Sequence, residues 1–139
     1  VKSTYLRRSM KDAWLHRTTT LRKAGMQLQR KVAAVRSRLA SDATLAHALG
    51  LDEFPAPLVA AWIVDTSIEC DHERFDGFLK VSLEEVLIAL RDERHLLRGL
   101  SGLLESEEPP PPDSLYPAGF NAARFIDAVE SGAVWDHAI

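Results

Sequence analysis

The stretch WLHRTTTLRKAGMQLQRKVAAVRSRL, residues 14–39, decides how the rest of the chain is read. Trp14, Thr18, Leu21, Gly25, Leu28, Val32, Val35 and Leu39 recur at alternating steps of four and three residues. That spacing keeps one stripe aligned along a helix, so a long helix facing a core is predicted. Gly25 falls in the helix interior, where it costs about 1 kcal/mol relative to alanine, and close approach of another backbone is the expected reason for it. On another face Lys23, Gln27 and Lys31 follow one another at i,i+4 spacing, which makes them neighbours on the helix surface.

The charge around this helix is one-sided. Residues 1–40 carry eleven Lys and Arg against the single acid Asp12, a balance of +10, and the overall −3 leaves −13 for the remainder. Such asymmetry points to a polyanion facing the basic part, or to the two parts neutralising each other. At 139 residues, 46% apolar and 27% charged, the chain has the composition of one globular domain. No apolar run approaches the ~20 residues needed to cross a bilayer, and the opening residues lack the apolar stretch of a secretory signal. The lone Cys70 rules out a disulfide framework within the chain and favours a reducing compartment, so the expected location is cytoplasmic.

Upstream of the helix, residues 1–6 read as a strand end. Downstream, Ser41 or Asp42 caps a short helix over 42–49 that stops at Gly50. After Pro55-Ala56-Pro57, residues 58–64 are almost continuously apolar and predict a strand buried on both faces. Residues 65–76 read as a loop, and 77–81 as a second strand. Ser82 with Glu85 then forms a capping box for a helix through Leu90. Residues 96–104 extend the helical region with breaks at Gly99 and Gly102, and 105–113, with four consecutive prolines, is a polyproline linker. A last helix over 118–130 ends at Gly132, its Phe120, Ala123, Phe125, Ile126 and Val129 suited to capping the main body.

Asp65, Glu69, Asp71, His72 and Glu73 crowd one stretch, yet they lack the paired spacing of a zinc site and read as a polar turn. Cys70 has no identifiable activating partner and reads as an inert thiol. His16, His47, His95 and His137 occur singly, as surface histidines of helices do. Neither a glycine-rich phosphate loop nor a G-x-S-x-G elbow occurs.

V-K-S-T at residues 1–4, the long basic helix with Q-L-Q-R-K at 27–31, and the strand and strand–helix unit that follow resemble the PD-(D/E)XK (restriction-endonuclease-like) nuclease superfamily after its first motif. The resemblance implies an α/β fold: a small mixed sheet flanked by the long N-terminal basic helix and C-terminal helices, a restriction-endonuclease-like half core. Residues 1–104 would be the C-terminal part of a nuclease-like core, 105–116 a Pro-rich linker and 117–139 a C-terminal helical cap. In that family an acid, any residue and a lysine share one strand. Val1 and Lys2 match the second and third places, so the chain reads as cut inside the motif, its acid just before Val1.

By this resemblance Lys2 is the catalytic lysine, Val1 a metal ligand through its backbone carbonyl, and Gln27 a second catalytic-site residue on the helix. Arg7, Arg8, Lys11, Lys23, Arg30 and Lys31 would bind nucleic acid. Lys31 departs from the tyrosine that recombination-type members carry there. Phosphodiester hydrolysis requires a divalent cation, held by carboxylates, to polarise the phosphoryl oxygen and acidify a bound water, with a nearby lysine stabilising developing charge. Mg2+ or Mn2+ is therefore the expected cofactor of the complete enzyme. The expected partners are DNA, with RNA left open, the upstream half of the same protein and a second copy of the chain; no membrane is expected. Restriction or defence against foreign DNA is the biological role suggested by analogy. The competing reading is a non-catalytic nucleic-acid-binding or protein-assembly module built on the same helix.

Overall fold

The computed structural model describes residues 9–51, 57–94 and 114–136. It is a mixed α/β structure with a long helical N-terminal part, a small three-stranded mixed sheet and helices toward the C-terminus. The described residues fall into two compact units: those up to Ile63 with Arg74–Leu79, and Val64–Glu73 with those from Lys80 onward. The predicted strand over 1–6, the helical extension over 96–104, and His95 and His137 lie outside the described residues, as do Pro55 and Ala56 and the tetraproline of the linker.

In the first unit the long predicted helix is present but is not uniform. Helix α1 (Met10–Leu15) starts at Ser9, whose hydroxyl accepts from the Asp12 amide at 3.1 Å. A wider π turn spans His16–Leu21, and α2 (Arg22–Ser41) continues from it. The π turn holds three consecutive threonines, and the Thr18 hydroxyl donates to the Trp14 carbonyl at 2.7 Å. β-Branched side chains crowd the preceding turn, and a hydroxyl bonded to the i−4 carbonyl competes with the regular ladder. An i→i+5 turn advances the buried face by one extra residue. The predicted stripe is corrected accordingly: upstream of Leu21 (2% exposed) the next buried residue is His16 (7%), while Trp14 is 62% exposed. Val35 also turns outward, at 46% exposure.

Helix α3 (Ala43–Ala48) is capped by Asp42, which accepts from the Leu45 amide at 3.0 Å, and Gly50 follows at φ +66°. Strand β1 (Trp62–Asp65) is shorter than predicted and is not buried on both faces. Leu58 lies outside it and is 77% exposed, and Ile63 points inward while Val64 points out. The sheet order is β1-β3-β2, which leaves β1 at one end among the described strands.

The predicted loop over 65–76 yields a strand, β2 (Arg74–Phe75), paired antiparallel with β3 (Phe78–Ser82) so that Phe75 faces Phe78 across Asp76-Gly77. Asp76 (φ 51°) and Gly77 (φ 86°) both occupy the left-handed region that a two-residue hairpin turn requires. Gly25 packs on this hairpin. A Cβ there would lie 2.5 Å from the Phe75 carbonyl oxygen, so the close backbone approach expected of Gly25 is present.

In the second unit, helix α4 (Leu83–Arg91) is capped by Ser82, whose hydroxyl accepts from the Glu85 amide at 3.2 Å. The last helix, α5 (Ala122–Ser131), starts four residues later than predicted because Asn121 caps it. Gly132 ends it at φ +75°, and a short 3-10 turn, Ala133–Trp135, follows. Val81, Ala89, Val129 and Val134 are fully buried and form this unit's core. Ser114 and Leu115 both donate to the Asp92 carboxylate at 2.6 Å, and the Tyr116 hydroxyl donates to the Ala89 carbonyl at 2.6 Å. These bonds fasten the chain entering α5 to the end of α4.

Candidate functional site

Helix α2 presents a basic stripe. Lys23, Gln27, Arg30 and Lys31 are all exposed, whereas Gly25 and Val32 on the same helix are buried. At 3.6 residues per turn the four exposed residues fall within an arc of about 100°, roughly opposite the buried pair. Lys11 is exposed on α1. Farther along, Arg38 pairs with Asp42 at 3.0 Å and is thereby partly neutralised. Such a stripe sets cationic and amide donors at successive helical turns, an arrangement able to follow a line of phosphates. Val1, Lys2, Arg7 and Arg8 lie outside the described residues, so of the predicted site the structure brings Gln27 together only with Lys23, Arg30 and Lys31.

A second concentration of chemistry lies within the second unit, around the stretch read as a polar turn. Among the described residues no group of three or more His, Cys, Asp or Glu is arranged to hold a metal ion. Asp71 and His72 nevertheless turn toward charges on neighbouring elements. The Lys80 ammonium, on β3 and fully buried, binds the Asp71 carboxylate and the Ser67 carbonyl. The Glu85 carboxylate, also fully buried, is approached by His72 Nε2 at 3.0 and 3.2 Å and by the Trp135 indole. The capping box is therefore half formed: Ser82 caps α4, but the Glu85 side chain is engaged by His72 and Trp135 instead of turning back on the cap. Burial pushes the Glu85 carboxyl above its ordinary range; the Trp135 hydrogen bond and His72 oppose this, and the Asp71 charge adds to it.

The turn's backbone is shaped to make these contacts. Cys70 and His72 both sit at φ 60°, a region that costs an L-residue energy and persists only when surrounding contacts fix it. Two backbone bonds tie the turn to β3, His72 N–H to the Lys80 carbonyl and Lys80 N–H to the Glu73 carbonyl, each 2.9 Å. Lys80 was not among the residues picked out from the sequence, and Glu85 was read there only as the capping-box partner of Ser82. A lysine flanked by Leu79 and Val81 in a five-residue strand was the available signal, because an apolar strand with a charge in it buries that charge only beside a partner. His16, read as a surface residue, is buried, while His47 is exposed as expected. No helix among the described residues is long and apolar enough to cross a membrane. No family model, curated protein or solved structure matches the chain.

Proposed function

We propose that the chain is the C-terminal part of a metal-dependent nuclease core whose basic helix seats the phosphodiester backbone of DNA. The observation that carries this reading is the exposed Lys23, Gln27, Arg30 and Lys31 stripe on α2, set opposite the buried Gly25 and Val32. Cations on that stripe neutralise phosphates, and the Gln27 amide hydrogen-bonds near the scissile bond. Lys2 stands at the position of the family's catalytic lysine. Mg2+ or Mn2+, supplied to the complete enzyme, would activate the water, and by the resemblance the Val1 carbonyl would be one of its ligands. Restriction or defence is the corresponding biological role.

Two measurements test this. Binding of the chain to duplex and single-stranded DNA should weaken with salt, and reversing Lys23, Arg30 and Lys31 to glutamate together should reduce the log–log slope by up to about 2.7 on duplex and about 2.1 on single strands, three contacts at ~0.9 and ~0.7 each. With magnesium, the complete protein should nick DNA, and Lys2→Ala should abolish nicking while Gln27→Ala reduces it. Salt-independent binding that the triple reversal leaves intact would sink the proposal. The competing reading, assembly with a second copy through an apolar seam, draws on the exposure of Trp14 and Val35. It predicts a concentration-dependent dimer that Trp14→Ser weakens and salt does not.

A further inference from the structure

The second unit buries a charge cluster that nucleic-acid binding does not use. Asp71 and His72 come from the turn, Lys80 from β3 and Glu85 from the first turn of α4. The Lys80 and Glu85 side chains are fully buried, and those of Asp71 and His72 are 14% and 31% exposed. Asp71 and Lys80 cancel as an ion pair. Glu85 is left with two partners, the His72 ring, which is charged only when it carries an added proton, and the Trp135 indole, which is a neutral donor. His72 Nε2 lies nearly equidistant from both Glu85 oxygens, the geometry of one N–H shared between two acceptors. One proton on this pair makes the cluster neutral; without it a net negative charge is buried, which a protein interior strongly disfavours.

The same ring touches the end of α5. A Cβ on Gly132 would come within 3.2 Å of His72 Cε1, so the ring lies flush against the left-handed turn that leads into Trp135. Arg94 donates to the Ala133 carbonyl of that same turn at 3.1 Å. We propose that the His72–Glu85 contact is a proton-linked latch: with one proton on the pair the His72 ring is held between Glu85 on α4 and the Gly132–Trp135 turn, and loss of that proton frees the ring from both while the backbone of the 70–72 turn stays bonded to β3. Burial of Glu85, which raises its proton affinity, acts in the same direction as the charge balance. Nothing in the latch depends on the nuclease reading.

The test follows the assigned His72 ring and Trp135 indole resonances of the intact chain from pH 5 to 9. The latch predicts that both move with one shared midpoint and that Glu85→Gln removes the shared transition. His72→Gln, at a part-exposed position, is the second variant: with circular dichroism native, it should move the midpoint of the Trp135 signal away from the parent's, since Glu85 then exchanges its proton without its ring partner. Separate midpoints in the parent, or a Trp135 midpoint left unchanged by His72→Gln, would overturn it.

Discussion

Replacing Gly25 with alanine tests whether the helix and the hairpin are in backbone contact. On an exposed helix surface the change would stabilise by about 1 kcal/mol, since alanine is the better helix former. Here the added Cβ would meet the Phe75 carbonyl oxygen at 2.5 Å, its carbon at 3.0 Å and the Asp76 carboxylate at 2.9 Å. Ordinary contact begins at 3.4 Å, so the two backbones must separate by about 0.9 Å, the difference between 3.4 and 2.5. A carbonyl in a paired strand cannot rotate aside as a flexible side chain can. Overpacking of this kind costs about 1–3 kcal/mol, and after the propensity gain of about 1 kcal/mol a net loss of up to about 2 kcal/mol is expected. Urea denaturation followed by circular dichroism measures it, with Ala33→Gly on the exposed face as the control, expected to cost about 1 kcal/mol. A Gly25→Ala variant more stable than the parent at unchanged m-value would refute the packing argument.

Other substitutions address the second unit. Lys80→Met leaves the Asp71 carboxylate facing an apolar wall and should destabilise by about 3–5 kcal/mol, whereas Lys80→Met combined with Asp71→Leu should recover most of that loss; denaturant titration of the single and double variants decides it. Burial holds the Glu85 carboxyl above its unfolded value of about 4.3, so its contribution to stability is complete below that pH and is lost as pH rises through the folded value. Thermal melts between pH 4 and 8 should show this decline in the parent and a flatter profile in Glu85→Gln. Tyr116→Phe removes the bond to the Ala89 carbonyl and should cost about 1 kcal/mol, read from the urea midpoint. Burial and the Asp92 charge both raise the Tyr116 phenol, so that bond should outlast the ordinary phenol range as pH increases.

Several local signals in the sequence were read correctly because neighbours along the chain do the work. The Asp42 and Ser82 caps and the Gly50 and Gly132 stops stand where turn and cap chemistry put them, because each is satisfied within a few residues. The Asp76-Gly77 hairpin was equally legible from its dipeptide between Phe75 and Phe78, and reading 65–76 as a single loop missed it. Asn121 was likewise a readable cap. The exposed stripe of Lys23, Gln27, Arg30 and Lys31 follows from helical periodicity, which is a property of the backbone alone.

Composition, the long helix and its one-sided charge were thus determined by the sequence by itself. Tertiary structure decided which faces of the elements were used. The π turn at His16–Leu21 shifted the buried face from Trp14 to His16, a change of phase that a uniform 3.6-residue period cannot anticipate. Glu85 had the spacing of a capping-box residue, and only the arrival of His72 and Trp135 from distant parts of the chain gave its carboxylate other partners. Lys80 is buried for a related reason: its apolar neighbours hinted at burial, but a charge enters a core only where the fold delivers its counter-charge, and the turn that brings Asp71 to it is formed by tertiary packing.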